Sequence, residues 1–289
     1  MIYRMTTCLH RYLSKHENLT GNVHSVFDGA FNILDTNGHL VGVVSSNKDL
    51  GPFSMQLSEE KLSNILQGKQ IKFYPKKIEI EGVQYKYDTL ELVDLSLSRY
   101  KLPNVDSKLL NLRESITHEG SKDGISQLIY SFSDELDDKN LVLNEYSEFI
   151  KDRLLSLLES LADEDLELFL NRIPKVIGFG PGLTPSADDF ILGIIIVLYS
   201  LSIVTDTFLK RIYEVCQNKT TKISEEMLYH SIHGHVSESY KKLIEQLFND
   251  SNDDISNEIT KVIEVGSTSG TDFLFGVYCM TSLISKKEA

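Results

Sequence analysis

The stretch Gly182-Leu-Thr-Pro-Ser-Ala-Asp-Asp-Phe-Ile-Leu-Gly193 runs straight into Ile194-Ile-Ile-Val-Leu-Tyr-Ser200. Small polar residues and a proline open it, two acids follow, and the rest is apolar on almost every side. That pattern predicts a helix buried in protein, its first turn carrying hydroxyls, free N–H groups and the positive end of the dipole. Thr184 before Pro185 suits an N-cap with proline at the first helical position, and Ser186 is the alternative cap. A second stretch, Gly266-Ser-Thr-Ser-Gly-Thr-Asp-Phe-Leu-Phe-Gly276, echoes the first. Both contain Ser-x-x-Asp-Phe-x-x-Gly, at Ser186 to Gly193 and at Ser269 to Gly276. Asp189 and Asp272 match in the echo, each one helical turn ahead of a glycine on the same face. The two helices are expected to pack closely there, with their N-termini together.

Two such openings can face one small charged ligand from two sides. Gly178, Gly180 and Gly182 alternate, which frees the backbone for positive φ or close approach. The spacing is neither G-x-G-x-x-G nor a Walker loop. Gly180, Gly182, Thr184, Ser186, Thr268, Ser269 and Gly270 are therefore the candidate substrate-binding residues. Asp188 and Asp189 have a plain reading, in which they offset the dipole and satisfy N–H groups. They also have a functional one, in which a carboxylate at the mouth of a buried helix is desolvated and needs a partner. That partner is a substrate amide, a cation or a hard metal such as Mg²⁺. Asp188, Asp189 and Asp272 are the candidate catalytic acids.

Thr220-Thr-Lys-Ile-Ser-Glu-Glu-Met-Leu-Tyr-His-Ser-Ile-His-Gly-His235 lies between the two stretches. Ser224 is the expected helix cap and Gly234 the stop. Lys222 is a candidate to neutralise a bound anion. His233 joins the catalytic candidates, with His233-Gly-His235 read as a metal-binding pair or a proton shuttle, beside the plainer reading of His230, His233 and His235 as helix-end histidines on terminal carbonyls.

The first hundred residues read as β-rich. Val23 to Leu34, Leu40 to Val44, Gln70 to Phe73 and Lys77 to Ile80 are short runs rich in Val, Ile and Phe. Asp35-Thr-Asn-Gly38, Gly51-Pro52 and Glu81-Gly82 punctuate them, and Asn37-Gly38 signals a hairpin. A helix is expected over Ser58 to Gln67. Near Pro103 the pattern turns helical, with Asp106 or Ser107 as a cap, an apolar helical face within Leu141 to Leu161, and a helix opening at Asp163 to Leu170. Asp134 to Lys139 reads as a solvated loop, and Lys175 to Phe179 as an extended strand. The expected fold is α+β: a small β-rich, barrel-like N-terminal domain over 1–102, then a mainly helical domain over 103–289 carrying the site.

The 289 residues carry a net charge of −13, which argues against nucleic acid and anionic membrane as partners. Cys8, Cys216 and Cys279 are scattered, with no CxxC, as in a reducing cytoplasm. No apolar run reaches the length that spans a bilayer.

Together the segments Gly178 to Gly193, Thr220 to Ser224 and Gly266 to Asp272 resemble the AllH-type family. Gly21-Asn-Val-His-Ser-Val-Phe27 and Gly51-Pro52 are similar too. The likeness spans most of the chain in the right order, with one departure at Ala187, where the family pattern has Gly. It implies a component of oxamate carbamoyltransferase in allantoin degradation. Such an enzyme moves a carbamoyl group between oxalurate or oxamate and phosphate or carbamoyl phosphate, with other subunits contributing. Preorganised N–H donors suit a developing oxyanion, and no cofactor is required. Two other readings stand beside it: a Mg²⁺-dependent hydrolase or lyase using Asp188, Asp189 and Asp272, and a non-catalytic anion-binding partner subunit.

Overall fold

The computed structural model describes residues 1–16, 19–58, 66–74, 76–80, 82–87, 90–132, 142–251 and 253–288. The chain divides into two compact units, Met1–Ser96 with His235–Glu238, and Leu97–Gly234 with Ser239–Ala289.

The first unit is built on nine strands: β1 (Ile2–Thr6), β2 (Thr20–Phe27), β3 (Ala30–Asp35), β4 (Leu40–Val44), β5 (Ser54–Leu57), β6 (Gln70–Tyr74), β7 (Lys77–Ile80), β8 (Val83–Lys86) and β9 (Glu91–Val93). They form one mixed sheet in the order β8-β7-β6-β2-β3-β4-β5-β1-β9. Among the described residues β8 and β9 are its unpaired ends, so the barrel-like expectation is met as an open half-barrel. Alternation decides which face is buried: Phe31, Ile33, Val41, Val43, Ile71, Phe73 and Ile78 point into one core with Ile2, Met5 and Met55. A short helix, α1 (Thr7–Leu13), follows β1 and adds Leu9 to that core.

The run from Val23 to Leu34 is two strands rather than one. Gly29, at φ 74°, turns the chain between β2 and β3. The Asn37-Gly38 hairpin forms as expected, with Asp35 Oδ1 accepting from the backbone N–H of Asn37 and His39, both at 2.9 Å. Residues 59–65 of the helix expected over Ser58 to Gln67, and the whole loop over Asp134 to Lys139, lie outside the described residues.

The second unit is helical. Its helices are α2 (Asp106–His118), α3 (Ile129–Phe132), α4 (Glu145–Ala162), α5 (Leu166–Arg172), α6 (Ser186–Ser200), α7 (Asp206–Cys216), α8 (Lys222–Ser231), α9 (Glu238–Leu247), α10 (Ser256–Ile263) and α11 (Ser269–Glu288). Caps differ from expectation at α2. Neither Asp106 nor Ser107 caps it; the Asp106 N–H donates instead to Asn104 Oδ1 at 3.1 Å. Asn144 caps α4 through the Ser147 N–H at 2.7 Å, and Asp165 caps α5 through the Leu168 N–H at 2.9 Å. Lys175 to Phe179 is not a strand. Ile173–Lys175 is a tight helical turn with Pro174 near its start, and the Val176 and Ile177 N–H groups both donate to Ile173 O at 2.9 Å. No helix among the described residues is long and apolar enough to cross a membrane.

A candidate site at the paired openings of two buried helices

Helix α6 is buried along its length except at Tyr199, because its apolar residues circle the whole axis. It lies against α11 at backbone-to-backbone distance. A Cβ on Gly193 would stand 2.8 Å from Val277 N and press on Phe273 O, and one on Gly276 would press on Phe190 O. The matched glycines are what let the helices close to this separation. The rings of Phe190 and Phe275, one from each helix, lie 4.9 Å apart beside them.

This packing brings the two openings together. Thr184 Oγ1 and Ser269 Oγ share a hydrogen bond of 2.8 Å. Below that half-buried pair lie three carboxylates exposed by 2% or less: Asp188, Asp189 and Asp272. Each is held differently. Asp188 Oδ1 accepts from the Gly178 N–H at 2.6 Å, and its Oδ2 accepts from the Thr220 hydroxyl. Asp272 Oδ1 accepts from the Ile125 and Ser126 N–H groups at 2.9 and 3.1 Å. Asp189 Oδ2, Asp272 Oδ2 and Ser186 Oγ are buried and complete no hydrogen bond within the chain.

No cation compensates them; among the described residues none of the three carboxylates forms an ion pair. Their protonation follows from that. Burial pushes Asp188 up, against the pull of Thr220, Gly178 and Ser224. Burial, and then the charge of Asp272, push Asp189 well above the usual carboxylate range, although the Ser269 and Thr184 hydroxyls act the other way. Burial raises Asp272 to about 6, with Ser186 and the two backbone N–H groups opposing. Of the adjacent pair, Asp272 with its two N–H donors better supports a charge. Asp189 has hydroxyls and no backbone N–H donor acting on it, and it is the one pushed well above the usual carboxylate range.

The caps expected here are absent. Pro185 stands just ahead of α6 in an extended conformation, φ −53° and ψ 140°, and no side chain caps the helix. Thr184 is turned to Ser269 instead. The free N–H groups are mostly taken as well: the Ala187 N–H donates to Phe179 O at 2.9 Å, and those of Asp188 and Asp189 donate to Pro185 O at 2.8 and 3.2 Å. Thr221, not Ser224, caps α8, accepting from the Ser224 N–H at 3.2 Å and donating to Leu183 O at 2.5 Å. Ser224 is displaced into the buried third position, facing Asp188.

The other candidates fall at varied distances from this centre. Gly180, at φ 119°, lies over the start of α6, where a Cβ would come within 2.6 Å of Ser186 N. Gly182, at φ 88°, is in open space. Thr268 is buried and its carbonyl accepts the Asp272 N–H at 2.9 Å. Gly270 serves packing: a Cβ there would run into Val262 O of α10. Lys222 pairs with Glu226 at 2.6 Å, and although burial works against it, that partner holds its pKa above the ordinary lysine value. His233 sits past the end of α8 with Nδ1 2.7 Å from Tyr229 O. Cys216 and Cys279 are buried thiols, and burial alone drives that of Cys279 well up.

One part of the site was not singled out from sequence. The loop Gly120 to Ser126 wraps the Asp272 end of α11. The Ser121 N–H donates to Thr271 Oγ1 at 3.0 Å, and Gly124 packs so tightly on the Asp272 carboxylate that a Cβ would overlap it. Its Gly-Ser-Lys-Asp-Gly turn was visible, but nothing local linked it to a residue so much later in the chain. Among the described residues no group of three His, Cys, Asp or Glu side chains is placed to hold a metal ion.

A strand-rich first unit, a helical second unit and a carboxylate cluster at two paired helix openings define the class. Two family models match the chain: oxamate carbamoyltransferase subunit AllH over residues 176–281, and AllH family N-terminal domain over residues 3–93. The chain belongs to the AllH family, and with it to the subunits of a carbamoyltransferase. No solved structure matches it.

Proposed function

We propose that this chain supplies the carbamoyl-transfer site of an oxamate carbamoyltransferase, at the junction of α6 and α11. In the direction from oxalurate, the bond between the carbamoyl carbon and the oxamate nitrogen breaks. A bond from that carbon to a phosphate oxygen forms, and the departing nitrogen takes up a proton. The observation that supports this assignment is Asp189: buried, unpaired at Oδ2, and pushed well above the usual carboxylate range by burial and by the charge of Asp272. A neutral carboxyl group at working pH is a general acid for a poor nitrogen leaving group, and in reverse the carboxylate is the base. Asp272 keeps the proton on Asp189 by its charge, and Asp188 fixes the Gly178 backbone beside them.

The substrate anion is assigned to the outer layer, with the one free proton of the Thr184–Ser269 hydroxyl pair and the Gly180 and Gly182 backbone N–H groups as donors. Ser186 and Thr268 shape the floor. Lys222 and His233 are the second rank, one a cation already shared with Glu226, the other a ring whose Nε2 is left for proton transfer when Nδ1 holds Tyr229 O. The test is reconstitution. The chain, alone and with the other subunits, is supplied with oxalurate and phosphate, and carbamoyl phosphate is measured. Activity that is unchanged when Asp189→Asn replaces the wild-type chain removes the site from this subunit.

A further inference from the structure

We propose that Gly180 to Thr184 is a strap that swings off the start of α6 to admit a ligand, with the Thr184–Ser269 hydrogen bond as its latch. The reason is what lies beneath. Ser186 Oγ, Asp189 Oδ2 and Asp272 Oδ2 are shut away from solvent and complete no hydrogen bond within the chain. A polar atom sealed without a partner is unfavourable, and here three lie in one cluster. Groups in that state meet water or a ligand only when their cover moves. The proposal rests on the function proposed above only where turnover is the readout.

The chain over the cluster is firm at one end and loose at the other. Gly180 rests on Ser186, where a Cβ would come within 2.6 Å of the backbone nitrogen and 3.1 Å of Oγ. Just before it the backbone is anchored to α6: the Gly178 N–H donates to Asp188 Oδ1 at 2.6 Å, and Phe179 O accepts from the Ala187 N–H at 2.9 Å. The far end is held, among the described residues, by hydroxyls alone. Thr184 Oγ1 meets Ser269 Oγ at 2.8 Å, and Thr221 Oγ1 donates to Leu183 O at 2.5 Å. Between the two ends Gly180, Pro181 and Gly182 make no hydrogen bond among the described residues. Gly180 and Gly182 have φ of 119° and 88°, and such glycines absorb backbone rotation that other residues resist. Pro181 keeps the piece between them stiff. Breaking two hydroxyl contacts therefore frees the Thr184 end to lift, pivoting near Gly180, and uncovers Ser186 and Asp189. Gly182 has open space around it, so nothing blocks the movement there.

Two measurements on the full chain test this. In the first, Ser186→Cys is treated with methyl methanethiosulfonate, and peptide mass spectrometry follows each thiol. Ser186, Cys216 and Cys279 are all fully buried, so the two native thiols mark the rate set by large-scale unfolding. The introduced thiol is expected to react roughly 100-fold faster than either, at a rate that is flat across low urea while theirs climbs, because local opening exposes little surface. A rate that climbs with urea as theirs does would overturn the proposal. In the second, Thr184→Cys and Ser269→Cys are combined. Their Oγ separation of 2.8 Å brings the two sulfurs within reach of a disulfide, which locks the latch when oxidised and frees it when reduced. Oxidation should slow amide exchange over Ala187 to Phe190 roughly tenfold or more. It should also stop turnover in the reconstituted enzyme, and reduction should restore it. Failure of the disulfide to form, exchange that ignores it, or turnover that ignores it would each overturn the strap. If the reconstituted wild type transfers no carbamoyl group, the proposed function fails, and thiol labelling and amide exchange still decide the strap.

Discussion

Thr184 Oγ1 and Ser269 Oγ lie 2.8 Å apart, although 85 residues separate them in the chain. One hydroxyl must donate to the other, which leaves a single proton of the pair for a third group, and both hydroxyls act on Asp189. The pair is therefore a joint between two helix openings as well as a cover over one carboxylate. Thr184→Ala and Ser269→Ala should each cost about 1 kcal/mol, and the double variant clearly less than their sum. A double-mutant cycle from thermal or urea unfolding measures that coupling. Strict additivity would mean that the bond contributes nothing.

Acid stability should carry the mark of the buried carboxylates. Asp272 has an ordinary value of 3.8 when unfolded and about 6 when folded, so between these the folded chain binds the extra proton. The stability it contributes is complete below the unfolded value and is lost as pH rises through the folded one, by on the order of 3 kcal/mol. Asp189 is raised as well, so it adds a loss of the same sign as pH rises. Melting temperature should accordingly fall from pH 5 towards pH 8, and Asp189→Asn should flatten that slope. Melting curves of both proteins across the range decide it; a steeper slope in the variant would contradict the assignment.

The matched glycines give a sharper structural prediction. Gly276→Ala places a methyl group against Phe190 O, and Gly193→Ala places one against the α11 backbone, where nothing flexible can yield. Each should destabilise by about 1–3 kcal/mol or more, because the helices must separate. Gly182→Ala meets no neighbour and pays only for its φ of 88°, so it should cost less than either. Chemical denaturation of the three variants ranks them.

Gly124 tests the loop that holds Asp272. An alanine there would overlap the carboxylate and disturb its bonds from the Ile125 and Ser126 N–H groups. Turnover in the reconstituted enzyme should fall more than stability. The activity profile should move to higher pH on its acid side, since the lost donors were holding Asp272 down. An unshifted profile would leave Gly124 a packing residue only.

Much of this was readable from residue order. Leu40 to Val44 and Lys77 to Ile80 form strands with the bounds their composition suggests, because Val and Ile between turn residues leave little choice. The echo of Ser-x-x-Asp-Phe-x-x-Gly carried the helix pair, since a buried helix with a matched glycine needs a close neighbour. Caps were read less well. Thr184 looked like a cap by local rules, but its hydroxyl is taken by Ser269 on another helix. The Asp272 clamp was hidden for the same reason: its two N–H donors lie about 150 positions upstream, and nothing near Ile125 or Asp272 announces the other.

The most direct measurement is turnover by the reconstituted enzyme with Asp189→Asn in this chain, paired with its melting temperature at the same pH. A general acid at Asp189 predicts that turnover falls roughly 10²–10⁴-fold, with the melting temperature held or raised. Wild-type turnover, or a loss explained entirely by unfolding, would contradict it.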